Sequence, residues 1–175
     1  EASDLWAVAA GFVGLAALVL FVLLLIWGSQ AYRSLEPTGA TGRSWSPGWA
    51  VGGWFIPLAA LIIPRLVLAE IERMADPENG PSPIGERWRR RPLLGTGVAW
   101  WILLIAAGVT GVIAVGIMGA GSMVSGSGSE AVTTVTDGGL YRNGLVVMAA
   151  AMTLLGVSQV LGAAYFRALG ERLLP

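Results

Sequence analysis

Three runs without a single charged residue set what this chain can fold into: residues 5–27, 93–118 and 144–166. As helices, at 1.5 Å per residue, each covers about 34 Å or more, against a hydrocarbon core of about 30 Å. In that layer no water satisfies peptide groups, so each run must close its own backbone hydrogen bonds as a helix. Trp6 and Trp27 flank the first run, where amphipathic rings favour the membrane interface. The run is too long for the core of a signal peptide, and no small-residue cleavage site follows it. The expectation is an all-α integral membrane protein, a single domain over residues 1–175 with three transmembrane helices.

A fourth apolar stretch, residues 48–64, behaves differently. It is 17 residues long and holds Gly52, Gly53, Pro57 and Pro64. Each proline removes a backbone donor and crowds the preceding turn. A stretch this short and interrupted reads as a re-entrant or interfacial segment rather than a span, with Pro57, Pro64 and the closing Arg65 as its determinants. The alternative is a fourth span. Trp45, Trp49 and Trp54 sit at its entrance, and residues 66–74 read as an amphipathic tail, Glu70 and Arg73 lying one turn apart. Arg65 and Glu70 are expected as a surface pair at headgroup level, with Arg65 snorkelling. Residues 76–92 are a loop dense in Pro and Gly; residues 119–140 are a loop of Gly, Ser and Thr with Glu130, Asp137 and no basic residue.

Charge orients this layout. All eleven basic residues are Arg, matched by eleven acidic ones. By the positive-inside rule the 119–140 loop faces outside, and Arg87, Arg89, Arg90, Arg91, Arg167 and Arg172 face the cytoplasm. The expected location is the bacterial cytoplasmic (inner) membrane, N-terminus outside and C-terminus inside. If residues 48–64 dip in and return, Arg33 and Arg43 also lie inside. A net charge of zero supplies no field for nucleic acid. The chain has no Cys and no His, which removes disulfides, thiolate and imidazole metal sites and the commonest general base. No catalytic, cofactor-binding or metal residue is expected, and no enzyme activity; Glu70, Glu72 and Asp76 are the carboxylates nearest the apolar segments.

The stretch WSPGWAVGGWFIPLAALIIPRLVLAEIERMADP, residues 45–77, resembles the signature of an actinobacterial multi-pass membrane family, the domain of unknown function numbered forty-three twenty-eight. Its pattern is Ser-Pro-Gly-Trp-Ala (Ser46 to Ala50), Trp-Phe-x-Pro (Trp54 to Pro57), a second proline (Pro64) and a helical tail ending in Asp-Pro (Asp76, Pro77). Paired Trp100 and Trp101 after a Pro/Gly-rich linker add to the likeness. The chain departs from the pattern at Ala60, where the family usually has Asn, and at Glu72, where it usually has Trp. The resemblance implies a multi-helix membrane architecture and no established activity.

The function expected on these grounds is an accessory or structural subunit of a larger membrane complex, of a respiratory or other energy-converting kind. It would act through other membrane subunits and anionic phospholipid rather than through chemistry. The alternative is a lipid-binding or small-molecule transport protein using the broken segment. Arg87, Trp88, Arg89, Arg90 and Arg91 are the candidate headgroup contact, with Trp88 at the interface. Small residues four apart (Ala7 and Gly11, Ala10 and Gly14, Ala107 and Gly111, Gly116 and Ala120) let helices approach closely. Gln159 is the polar side chain expected to bond a neighbouring helix, with Ser158 and Thr153 nearby.

Overall fold

In the first half of the molecule the packing centres on a buried twelve-residue helix. A computed structural model describes residues 2–125 and 132–173, without the side chains at 2–7, 9, 10, 13 and 124. The expected interface role of Trp6, the pairings of Ala7 and Ala10, and Glu130 therefore lie outside the described residues. The elements are α1 (Ala2–Ser34), α2 (Trp49–Gly52), α3 (Ile63–Met74), α4 (Gly95–Ala120), β1 (Ser122–Ser125), β2 (Val132–Val135) and α5 (Gly138–Leu173), with short 3-10 turns between. Among the described residues three helices are long and apolar enough to cross a membrane, over Gly14–Thr38, Gly95–Ala120 and Gly138–Leu173.

The contacts divide the chain into two units. The first holds Glu1–Leu93 and Leu169–Pro175. Its central helix is α3. Pro64 occupies the first turn of α3, where a missing N–H costs nothing because that donor has no intrahelical partner. The second proline of the "broken" stretch thus starts a helix instead of interrupting one. Before it, residues 48–62 form only the four-residue α2 and a 3-10 turn at Ala59–Leu61. Val67, Leu68, Ala69, Ile71 and Met74 of α3 are buried and Leu66 is exposed, so the expected amphipathic tail is a helix that is largely enclosed. Leu24 and Gly28 of α1 and Ala50 and Trp54 of the α2 segment line a narrow crevice with Pro64, Val67, Leu68 and Ile71.

Residues 38–42 lie against residues 84–89. Ala40 and Gly85 form a parallel bridge; Ile84 donates its N–H to Thr38 O at 2.9 Å, and Thr41 donates to Gly85 O at 2.9 Å. Gly39 has φ +67°, and a Cβ there would stand 2.7 Å from Pro83 Cβ, so both the turn and the close approach require glycine.

The second unit, Leu94–Ala168, pairs α4 with most of α5. A Cβ on Gly97 would lie 2.5 Å from the Tyr165 ring, on Gly162 2.8 Å from Trp100 Nε1, and on Gly144 3.0 Å from the Met118 backbone N. The Trp100 ring stacks on Tyr165, centroids 5.8 Å apart. Ser158, fully buried, donates to Trp100 O at 3.3 Å. Between the helices, β1 and β2 form an antiparallel hairpin pairing Ser122 with Val135 and Ser125 with Val132. The all-α expectation is corrected to this extent: β-branched Val132, Thr133, Thr134 and Val135 favour a pleated strand, a signal masked by the Gly and Ser around it.

Gly144→Ala and Gly97→Ala should each lower stability by about 1–3 kcal/mol through overpacking, while Gly11→Ala and Gly14→Ala, which meet nothing within 4 Å, should not. Thermal unfolding of the detergent-purified variants checks this; equal midpoints for all four would contradict the close packing of α4 on α5.

Candidate functional site

Three carboxylates sit on or just past α3, all removed from solvent: Glu70 and Asp76 are each 7% exposed and Glu72 is 0% exposed. At about 100° per residue Glu70 and Glu72 point to opposite sides of the helix. Arg65 and Glu72, two turns apart, share a side.

On one side, Glu70 collects donors. Its Oε1 accepts the Ser44 N–H at 2.8 Å, and its Oε2 accepts the Trp45 N–H at 3.3 Å. The hydroxyl of fully buried Tyr32 lies 2.9 Å from Glu70 Oε2 and 2.5 Å from Trp45 O. The Arg43 guanidinium covers the Tyr32 ring at 5.6 Å. These bonds tie the end of α1, the 43–45 turn and α3 together.

On the other side, Arg65 Nη1 and Nη2 both reach Glu72 Oε2 at 3.4 Å, with side chains 11% and 0% exposed. The expected surface pair of Arg65 with Glu70 is not formed. Five residues of helix turn those two side chains about 140° apart, whereas seven bring Arg65 and Glu72 into line. Arg172, from the end of α5, donates to the Glu72 carbonyl at 3.3 Å and to Asp76 Oδ2 at 3.2 Å. Asp76 Oδ1 accepts the Glu78 N–H at 2.9 Å. Asn79 Nδ2 donates to the Arg73 and Met74 carbonyls at 2.8 and 3.0 Å, closing the end of α3. Beside Asp76, Asn79 and Arg172 is an open cleft of about 290 Å³ that Thr38 and Ser82 also line.

The arginine cluster forms a 3-10 turn, Arg87–Arg90. Arg87 donates to Ile84 O (3.2 Å), Pro81 O (2.9 Å) and Pro83 O (3.1 Å). Trp88 is 2% exposed and donates Nε1–H to Thr41 O at 3.0 Å. The ring expected at the interface is therefore a buried anchor, because its indole N–H finds a carbonyl inside. Arg89 donates to Gly42 O and lies 5.5 Å over the Trp88 ring. Arg91 pairs with Glu78 at 2.7 Å and bonds Asn79 Oδ1 at 3.3 Å. Arg90 is exposed.

Pro57 is exposed in the turn after α2 and Pro64 is buried at the start of α3. Gly11 and Gly14 are exposed, with open space where a Cβ would stand; Gly111 faces Ala151 Cβ at 4.0 Å. Gln159 is exposed, and Ser158 makes the inter-helix bond expected of it. The close-packing glycines are instead Gly97, Gly144 and Gly162, each opposite a bulky side chain, a pairing that no spacing rule reveals. Tyr32 and Arg172 gave no sequence signal either, since their partners lie 38 and 96 residues away.

Among the described residues every buried carboxylate is bonded to a cation or to N–H and O–H donors, so the constellation ties the elements of the first unit together. Among the described residues no group of three or more His, Cys, Asp or Glu could hold a metal ion. The fold and this polar centre define a helical chain with three candidate membrane-spanning helices among its described residues and, in its first unit, a buried ionic cluster. The sequence matches the family described as Domain of unknown function (DUF4328) over residues 1–162, and the chain belongs to that family. No curated protein and no solved structure matches it.

Breaking one side of a buried ion pair costs about 3–5 kcal/mol, and replacing both partners by apolar groups recovers most of it. Arg65→Met alone should therefore lower the unfolding midpoint sharply, and Arg65→Met with Glu72→Leu should restore it. Tryptophan fluorescence during thermal unfolding reads both; a single variant as stable as the parent would remove the pair from the core account.

Proposed function

We propose that the chain is a structural or accessory subunit of a larger bacterial membrane complex, of a respiratory or other energy-converting kind, joined by helix–helix contact. The observation that carries this reading is the N-terminal half of α1. Val8, Phe12, Leu15, Leu18, Leu20 and Leu23 are 56, 70, 59, 58, 67 and 55% exposed. Every position with a described side chain from Val8 to Leu20 is exposed, so about three turns of the helix lack a neighbour among the described residues, while from Phe21 onward Trp54 and Phe55 pack against it. Gly11 and Gly14 leave a shallow track there, the kind of surface that admits the backbone of a second transmembrane helix. The occupant in this reading is a span of a partner subunit. The internal commitment of Glu70, Glu72 and Asp76 also supports a role exercised through shape.

In this reading the N-terminus is outside, the C-terminus is cytoplasmic, and residues 48–64 enter and leave by the cytoplasmic side. Two observations support it. The paired backbones of residues 38–42 and 84–89 bring both ends of the intervening chain to one level. The tip of that chain is apolar and exposed, with Phe55 66%, Leu58 81% and Ile62 60% exposed. From the tip α3 returns about 18 Å, roughly half the depth of a bilayer including a ~30 Å core.

Gentle detergent extraction from the native membrane, a native gel and mass spectrometry test the subunit role. Co-migration with a defined set of larger proteins is expected; migration alone, at the mass of the chain plus detergent, would end this reading. Because the chain has no Cys, single cysteines report the topology. A membrane-impermeant maleimide should label Thr133→Cys in intact cells, Ser34→Cys and Ser82→Cys only after permeabilisation, and Leu58→Cys in neither case. Labelling of Ser34→Cys and Ser82→Cys from opposite sides would show that residues 48–64 span.

A further inference from the structure

The arginine turn is used only in part by the fold. Arg91 is compensated by Glu78 and Trp88 is buried as an anchor. Arg87 and Arg89 spend some of their donors on the carbonyls of Pro81, Pro83, Ile84 and Gly42. Each guanidinium carries five N–H donors, so both keep donors that face outward. The Arg90 side chain makes no hydrogen bond or ion pair among the described residues. Together with Glu86 and Arg91, these three line an open depression of about 630 Å³. Three cations against the one carboxylate of Glu86 leave it positive.

We propose that this depression holds the phosphate headgroup of an anionic phospholipid. Three points favour that occupant. The planar guanidinium fork matches a phosphodiester with two parallel N–H···O bonds. Bonds to backbone carbonyls fix Arg87 and Arg89 before any ligand arrives, which reduces the ordering cost of binding. The chain also runs from Arg91 through three residues into the apolar helix starting at Gly95, so the site adjoins, in sequence, a candidate span whose ends lie at headgroup depth. A chain with three candidate spans meets phosphate chiefly as lipid headgroups, which favours a lipid over a free anion. This site is independent of the helix contact along α1.

Full-length protein in a neutral detergent would be titrated with short-chain phosphatidylglycerol, short-chain phosphatidylcholine and inorganic phosphate, reading the unfolding midpoint and lipid retained in native mass spectra. Phosphatidylglycerol should bind, and the other two should not at the same concentration. One Arg near an anionic surface contributes about 1 kcal/mol, so Arg90→Gln, which breaks no internal bond, should weaken phosphatidylglycerol about five-fold. Glu86→Gln, which removes the opposing charge, should strengthen it. Equal binding of both lipids, or an unchanged affinity in Arg90→Gln, would overturn the proposal. So would inorganic phosphate matching phosphatidylglycerol, since the site would then belong to a free anion.

Discussion

A carboxylate taken out of water must find a cation or a set of N–H and O–H donors, because an unpaired charge in an apolar setting is far more costly than any packing gain can offset. The first unit is arranged to meet that demand three times, twice on α3 and once just past its end. Glu70 draws in the backbone of Ser44 and Trp45 and the hydroxyl of Tyr32. Glu72 draws in Arg65, and Asp76 draws in Arg172. In satisfying these groups the chain fixes where α1 ends, where the 43–45 turn lies and where the last turn of α5 docks. The apolar contacts of Val67, Leu68 and Ile71 fill space around this scaffold without directing it, since apolar packing alone is not directional.

Held this way, α3 acts as a rigid post with two different ends. One end carries the exposed apolar tip of residues 55–62, and the other is closed by Asn79 and flanked by the arginine turn. Buried Trp88 and its bond to Thr41 O join that turn to the 38–42 backbone. A polar end and an apolar end joined by about 18 Å of helix suit a body seated at a water–hydrocarbon boundary. The second unit is held together by simpler means, with glycines under large side chains drawing two apolar helices together.

The periodic features were legible in the sequence and the long-range ones were not. Residues 93–118 and 144–166 announce α4 and α5 because every residue in them is uncharged, a local property. The helix limits ran further than the apolar runs, to Leu173 in α5, because Arg167 and Arg172 can continue a helix once outside the apolar layer. Proline excludes an interior helix position, which suggests a break at Pro64, but it is equally fit for a first turn, and that is where it stands in α3. Spacing of four between small residues pointed to Gly11, Gly14 and Gly111. The glycines under load, Gly97, Gly144 and Gly162, are defined by Tyr165, Met118 and Trp100 across the helix pair.

By itself, then, the sequence determined the apolar lengths, and through them the three candidate spans, since hydropathy is additive along a chain and needs no partner. It also determined what chemistry is absent from the side chains, as a chain without Cys or His cannot use a thiolate or an imidazole. Only the tertiary structure decided which carboxylate meets which arginine, that Trp88 is an anchor rather than an interface residue, and which of the arginines keep free donors. Those outcomes depend on residues tens of positions apart meeting in space, and the energy of a buried charge depends on that meeting rather than on its neighbours in the chain.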